Sequence, residues 1–376
     1  MNLEAFFERF KDQFDQDLPF VIYRKPNQKR LQGLLQRMDS LFTTSDFSEM
    51  GFVFSPFDSR NKTILLPLKD SDHIFCEEFE GMASDLALNK NDVQEPTNEA
   101  LKKAHIDLIE KGKAFIELTD VKKIVLSRKE EVLLKDHDPF QIFTSLLNKY
   151  TSAFVYCWYH PEIGLWLGAT PETLVKLEGN HFSIMALAGT QSYNGTLEVA
   201  WRDKELQEQQ YVTDYIVDRI KASVENIQLS EVQTVKAANL LHLKTKIWGN
   251  LKNGIFSLKD FLFHLHPTPA VCGLPKDKAK QFILEHENYD RNFYTGFLGE
   301  LNLESVRSPR RAKRNIETRA FETTSTSTQL YVNLRCMSLE DSKAMIYVGG
   351  GITVFSDPEE EWEETVAKAK VIKSVL

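Results

Sequence analysis

The stretch SAFVYCWYHPEIGLWLGATPETLVKLEGNHFSIMALAGT, residues 152–190, decides the fold class. Its β-branched and aromatic content predicts strands over 152–170 and 173–190. The same texture predicts strands over 123–134 and 345–355. Helical periods fall at 139–149, 203–226, 276–287 and 358–374. Strand pairs and helices in this mixed order indicate an α+β fold with large, mostly antiparallel sheets.

The whole chain has 376 residues, of which 42% are hydrophobic, and it can bury a sizeable core. We expect one domain, with a less regular N-terminal part over residues 1–110 and a core over 111–376. The net charge of −8 disfavours a nucleic-acid partner. No apolar run approaches the length of a membrane span, and the N-terminus predicts an acidic amphipathic helix rather than a signal peptide.

The four cysteines show no metal-site spacing, so we expect small buried fillers in a cytoplasmic protein. The polar segment 304–328, with basic residues at its centre, predicts an exposed loop between two strands. A nucleic-acid patch on this loop is the alternative, which the acidic balance of the chain disfavours.

The run FSDPEEEWEETVAKAK, residues 355–370, predicts a helix with a strongly acidic start. Asp357 can cap it, Pro358 suits the first helical position, and Glu360 can complete a capping box. Carboxylates also offset the positive end of the helix dipole. These effects explain several of the acids, but not all.

Two further acids of this run, Glu361 and Glu364, share one helix face with Lys368. One interpretation is a surface ion pair between Glu364 and Lys368, which contributes little to stability. In the helix over 203–226, however, Glu208 and Glu205 fall near the apolar stripe. A buried carboxylate is costly unless it is paired or coordinated. Two such helices could therefore supply oxygen ligands for Mg²⁺.

Eight motifs in a fixed order give the chain a family resemblance. They are KIVLSR, LGATPETLV, LAGT, HPTPAVCGLPK, NFYTGFLGEL, YVNLRCM, YVGGGI and EWEETVAKAKVI. Over residues 115–376 the chain resembles the chorismate-utilising enzymes, which include isochorismate, anthranilate, aminodeoxychorismate and salicylate synthases. The resemblance implies a single α+β domain of two stacked, mostly antiparallel sheets with helices outside. It also implies chorismate, Mg²⁺ and a site in a cleft between the sheets.

The resemblance assigns the two groups that isomerisation of chorismate to isochorismate needs. Water must add at ring C2 while the C4 hydroxyl leaves, so one side needs a general base and the other a general acid. Lys123 matches the base of the family, and its neighbour Lys122 is expected to be an ordinary surface lysine. Glu172 matches the acid, and its pKa must be raised if it is to donate a proton near pH 7.

Further positions match the substrate and metal sites of the family. Those implied for the substrate are Gly189, Thr190, His242, Ala270, Tyr294, Arg335, Gly349 and Lys368. Arg335 can bind a carboxylate through two hydrogen bonds, and the glycines allow backbone amides to approach a ligand. Glu208 and Glu364 match the Mg²⁺ ligands, with Glu205 and Glu361 beside them.

Ala270 favours isochorismate synthase, of the menaquinone or siderophore type, because ammonia-using relatives resemble one another in carrying threonine there. The nearest alternative is salicylate synthase, followed by an ammonia-using anthranilate or aminodeoxychorismate synthase component I and by a non-catalytic subunit. We expect a monomer without an obligate amidotransferase subunit. Two departures affect substrate positioning: Gln209 stands where many relatives have histidine, and the usual arginine after LAGT is missing.

Overall fold

A computed structural model of the chain describes residues 1–79, 98–134, 138–237, 240–252, 254, 256–306 and 324–376. In these ranges the helices are Leu3–Asp15 (α1), Glu99–Leu118 (α2), Pro139–Lys149 (α3), Asp203–Ile220 (α4), Leu258–Leu265 (α5), Lys276–His286 (α6) and Pro358–Lys373 (α7). The strands are Phe20–Arg24 (β1), Leu31–Gln36 (β2), Phe42–Thr44 (β3), Gly51–Ser55 (β4), Thr63–Pro67 (β5), Ser71–Cys76 (β6), Lys123–Leu133 (β7), Phe154–His160 (β8), Gly164–Thr170 (β9), Thr173–Glu178 (β10), His181–Ser192 (β11), Val224–Leu229 (β12), Gln233–Ala237 (β13), Leu240–Leu251 (β14), Gly273–Leu274 (β15), Phe297–Val306 (β16), Thr324–Val332 (β17), Cys336–Glu340 (β18) and Lys343–Ile352 (β19).

The strands form two large antiparallel sheets, which confirms the predicted α+β class. The order in the first sheet is β15-β7-β19-β18-β9-β8-β1-β2-β6. The order in the second is β12-β14-β11-β10-β17-β16-β4-β5-β3, with β13 also paired to β14. The quoted stretch 152–190 supplies two strands to each sheet, β8 and β9 to the first and β10 and β11 to the second, so it joins the two layers.

Side chains of β8 show how the two layers pack. Phe154, Tyr156 and Trp158 lie in the cluster between the sheets, where Trp158 meets Phe54 of β4 with ring centroids 4.9 Å apart. The alternate residues of β8, such as Val155, lie in a separate cluster with α1, α3 and α7. Side chains of a strand alternate between faces, and both faces of β8 are buried. This explains why the segment is apolar almost without interruption.

The N-terminal part, expected to be less regular, carries α1 and six strands. Strands β1, β2 and β6 complete one edge of the first sheet, and β3, β4 and β5 complete one edge of the second. The four cysteines are free and buried, as the sequence predicts. In the ranges that the structure describes, no helix is both long and apolar enough to cross a membrane.

Two local predictions differ from the structure, and one helix was not predicted. The helix expected over 203–226 ends at Ile220, because residues from Val224 onward pair with β14 as strand β12. The short helix α5 had not been predicted. Within the predicted loop 304–328, β16 continues to Val306 and β17 begins at Thr324, while residues 307–323 lie outside the described part of the chain.

Candidate active site

A cleft of about 700 Å³, including the part open to solvent, lies where β7, β11, β14 and β19 meet α4 and α7. Every predicted substrate-binding residue lines the cleft, and so do Glu172, Glu208 and Glu364. Tyr294 and Tyr347 form an aromatic wall, with stacked rings whose centroids are 5.6 Å apart. The structure therefore gathers residues from all eight motifs around one space.

Glu172 lies between β9 and β10, directly after Pro171, and only 4% of it is exposed. Burial raises the pKa of Glu172 to about 8, although the positive charge of Lys123 opposes part of this rise. A charged carboxylate loses its hydration in such a place, so the neutral acid is favoured. The side chain therefore holds a proton near pH 7 and presents it to the cleft.

Lys123 is the first residue of β7 and is completely buried. It does not line the cleft directly. Its ammonium nitrogen lies 2.5 Å from Oε1 of Glu208, which does line the cleft. Its neighbour Lys122 is exposed, in agreement with its expected role. Gly351 of β19 makes this arrangement possible, because a Cβ atom there would lie 2.7 Å from both Glu208 Oε1 and Lys123 Cε.

Three carboxylates from α4 and α7, which we call the carboxylate cluster, each pair with a lysine. The pairs are Lys123–Glu208, Lys204–Glu361 and Lys368–Glu364. The two pairs that involve α7 lie beside the glycines of β19. A Cβ atom at Gly350 would be 3.2 Å from Glu361 Oε2 and 3.6 Å from Glu364 Oε1. The absence of a side chain at Gly350 thus leaves room for both carboxylates.

The pKa values of Glu361 and Glu364, two members of the carboxylate cluster, shift in opposite directions. Burial raises the pKa of Glu361, and the negative charge of Glu364 raises it further. Burial also acts on Glu364, but the ammonium of Lys368, 2.6 Å away, outweighs it and the pKa falls below its ordinary value. Lys368 also donates a hydrogen bond of 2.8 Å to the carbonyl oxygen of Gly349. The Glu364–Lys368 pair therefore belongs to the cleft.

Lys204 is the residue of this cluster that sequence reasoning missed. Burial lowers its pKa, but the carboxylate of Glu361 outweighs this effect and the pKa lies above its ordinary value. The available signal was helical spacing, since Lys204 stands four residues before Glu208 on the same face of α4. That spacing does not predict its partner on α7, which is Glu361.

Glu205 is buried, as predicted, but it does not line the cleft. Its carboxylate binds the Arg202 guanidinium at 2.8 Å and accepts a hydrogen bond from the Arg202 backbone N–H. Glu205 therefore helps to cap the N-terminal end of α4. At the start of α7, Asp357 accepts hydrogen bonds from two backbone amides, as predicted. The carboxylate of Glu360 pairs with Arg202 instead of forming the expected capping box.

Arg335 and His242 form a buried pair at another wall of the cleft. Arg335 Nη2 lies 3.3 Å from His242 Nε2, and His242 Nδ1 lies 2.9 Å from the carbonyl oxygen of Gly189. Arginine can only donate hydrogen bonds, so Nε2 accepts and Nδ1 carries the proton that is donated to Gly189. Burial and the charge of Arg335 lower the pKa of His242 to about 3, so the ring is neutral.

The surroundings of Arg335 are suited to the binding of an anion. It lies between β17 and β18 with φ of +50°, a strained value for a residue other than glycine. Burial lowers the pKa of its guanidinium, and no carboxylate of the described residues forms an ion pair with it. A buried guanidinium with free donors that line a cleft is well suited to bind a carboxylate.

Gln209, which stands where many relatives have histidine, faces the second sheet. Its Nε2 donates hydrogen bonds to the Ala186 carbonyl oxygen at 3.2 Å and to Thr245 Oγ1 at 3.0 Å. These bonds tie α4 to β11 and β14. Gln209 therefore fixes the helix that carries Glu208 and does not itself enter the cleft.

The fit of a metal ion can be judged from the donor groups. Among the described residues no three His, Cys, Asp or Glu side chains are grouped as metal ligands. The three carboxylates of the cluster are hard oxygen donors beside a glycine cradle, and they are neutralised by lysines. Carboxylate oxygens are the type of ligand that Mg²⁺ prefers, and in this structure each of the three is paired with an ammonium group.

Residues 68–306 match the sequence profile of the chorismate binding enzyme family, and residues 322–374 match a second profile with the same description. The chain belongs to the chorismate-binding enzyme family. It is similar to isochorismate synthase MenF of Escherichia coli, with 29% identity over 56% of this chain and 45% of the relative. The MenF relative from Haemophilus influenzae is 26% identical over 79% of this chain and 66% of its own length.

Solved structures of the family share the fold. The structure of the menaquinone-specific isochorismate synthase MenF from Escherichia coli aligns with a TM-score of 0.72 and 20% identity, covering 95% of this chain and 88% of that one. Anthranilate synthase component I from Streptococcus pneumoniae aligns with a TM-score of 0.62 and 18% identity, covering 94% and 92%. In the sequence comparisons, by contrast, the match covers only about half to two thirds of each MenF relative.

Proposed function

We propose that this protein is an isochorismate synthase, which isomerises chorismate to isochorismate by adding water at C2 and releasing the C4 hydroxyl. One observation carries the proposal: a neutral, buried carboxylic acid, Glu172, lines the cleft that a buried lysine, Lys123, adjoins. The reaction needs one group that takes a proton and another that gives one. The similarity to isochorismate synthases supports the same reading.

The proton transfers follow from the environments of the two groups. Glu172 donates its proton to the departing C4 hydroxyl, because its raised pKa keeps the acid protonated near neutral pH. Lys123 is the group that accepts a proton from the attacking water in this proposal, and its nitrogen lies 2.5 Å from Oε1 of Glu208.

Chorismate carries two carboxylates, and the cleft offers cations to receive them. Arg335 is held by the neutral ring of His242 and supplies a fork of donors. Lys368, which also lines the cleft, adds a second positive charge. Glu208 and Glu364, with Glu361 beside them, would hold Mg²⁺. The ion would supply charge stabilisation for a substrate carboxylate and polarise the ring.

The residue type at position 270 supports water rather than ammonia as the nucleophile. Ala270 lines the cleft, and ammonia-using relatives resemble one another in carrying threonine at this position. An isochorismate synthase of this kind would serve menaquinone or catechol-siderophore synthesis in the cytoplasm.

The test is to incubate the purified protein with chorismate and Mg²⁺ and to separate the products by chromatography. Isochorismate alone, lost when a chelator removes Mg²⁺, is the expected result. Salicylate with pyruvate would favour the salicylate synthase alternative. Anthranilate or aminodeoxychorismate, formed only when ammonia is supplied, would refute the proposal, as would the absence of any turnover.

A further inference from the structure

One ammonium group faces the whole carboxylate cluster. Lys204 bonds to Glu361 and also interacts electrostatically with Glu364 and Glu208. Its side chain is 18% exposed, so water screens these charges only in part. Lys204 therefore acts electrostatically on all three carboxylates of the cluster.

The balance of charge shows why this lysine matters for a divalent cation. Three ammonium groups already neutralise the three carboxylates of the cluster. A bound Mg²⁺ would add two positive charges to a site that is already balanced, and like charges a few ångströms apart repel strongly in a partly buried place. Tight binding of the ion therefore requires an ammonium to withdraw.

Lys204 is the lysine best able to withdraw. Lys123 is completely buried, and Lys368 is additionally held by the carbonyl oxygen of Gly349. Lys204 hydrogen-bonds to Glu361, lies in the first turn of α4 and keeps 18% of its side chain exposed. Its flexible stem of four carbons can move the ammonium into water at little cost.

We propose that Lys204 competes with the divalent cation for the carboxylate cluster, so that cation binding and release of the Lys204–Glu361 ion pair form one exchange. The inference rests on the metal site of the proposed function, although not on the reaction itself. Without the metal, Lys204 keeps the carboxylates from repelling one another and holds α4 against α7. When the divalent cation binds, competition from Lys204 lowers the apparent affinity of the cluster for that cation. Lys204 is thus a positioning residue and not a catalytic residue.

The experiment compares binding of Mg²⁺ alone, without chorismate, to the wild type and to Lys204→Gln. Glutamine keeps a hydrogen-bond donor for Glu361 but removes the charge. We expect affinity by calorimetry to rise about tenfold, which corresponds to about 1.4 kcal/mol. Without Mg²⁺, the variant should have a lower melting temperature than the wild type. Addition of Mg²⁺ should raise the melting temperature of the variant by more than that of the wild type, since ligand binding stabilises the folded state. Lys204→Arg, which keeps the charge, should restore near wild-type affinity.

A matched control is another lysine whose acidic partner lies on α7. Lys102 of α2 forms an ion pair of 2.7 Å with Glu359 of α7, and the Glu359 side chain is 63% exposed. Lys102→Gln therefore removes the same unit charge and one ion pair to α7, but outside the cleft. Its affinity for Mg²⁺ should equal that of the wild type.

The outcomes separate the inference from the proposed function. Equal or weaker binding by Lys204→Gln, with clear binding by the wild type, would overturn the exchange and leave the metal site intact. No binding by either protein would overturn both the metal site and the exchange. Should Lys204→Gln fail to fold, the wild type offers a second test. Mg²⁺ should speed modification of Lys204 by an amine-reactive reagent, detected by mass spectrometry, and an unchanged or slower rate would contradict the exchange.

Discussion

Replacing Glu172 by glutamine should change how the stability of the protein depends on pH. Glutamine has the shape of the protonated acid but cannot ionise. The pKa of Glu172 is about 8 in the folded protein, against an ordinary value of 4.5 that applies when the chain is unfolded. A folded-state pKa that is raised stabilises the fold fully below pH 4.5, and this contribution is lost as the pH rises through 8.

The magnitude follows from the same two values. The difference between 4.5 and about 8 corresponds to about 5 kcal/mol, at about 1.4 kcal/mol for each pH unit. Because Glu172 is 4% exposed, solvent screening reduces this figure little. Between pH 5 and pH 9 the wild type should therefore lose about 4 to 5 kcal/mol of unfolding free energy relative to Glu172→Gln.

The assay is urea unfolding followed by tryptophan fluorescence at several pH values, for both proteins. Every other titrating group is common to the pair, so the difference between the two stability curves isolates Glu172. Activity provides an independent readout: turnover of chorismate by the wild type should fall above pH 8, where the acid loses its proton, and Glu172→Gln should be inactive. Parallel stability curves from pH 5 to pH 9 would refute the assigned burial and pKa. A fully active variant would refute the role as acid.

Three further predictions concern the remaining parts of the cleft. Lys123→Ala should lower kcat by about 10²–10⁴, the usual contribution of a general base, whereas Lys122→Ala on the exposed neighbour should leave it unchanged. Arg335→Lys should raise KM for chorismate about tenfold with a smaller effect on kcat, since lysine lacks the donor fork, and an unchanged KM would contradict anion binding there. Gly351→Ala places a Cβ atom 2.7 Å from Glu208 Oε1, so calorimetry should show weaker Mg²⁺ binding, and wild-type binding would show that the glycine cradle is not needed.

The sequence predicted much of the fold because its signals are local. β-Branched and aromatic content predicted the strand-forming segments 152–170 and 173–190, each of which the structure divides into two strands. Helical periods with Asp357 as a cap identified α7, whose bounds agree with the structure within a residue. The order of short motifs indicated the family. The same local logic failed at Ile220, since pairing of the following residues with β14 is a tertiary effect.

The site could be predicted only as a set of candidate residues. Helical spacing placed Glu205 and Glu208 on a similar face, but the structure assigns them to Arg202 and Lys123. Which basic residue each glutamate pairs with depends on the positions of the charged groups in the folded protein, and spacing along one helix does not give those positions.

The sequence alone determined the two-sheet class, the helices and the family, because period, propensity and motif order are written in neighbouring residues. Tertiary structure decided which charges meet. Lys123 and Glu208 are 85 positions apart, and Lys204 and Glu361 are 157 positions apart. It also decided that Glu172 is a neutral acid, because burial by distant segments, rather than the residue type, sets its pKa.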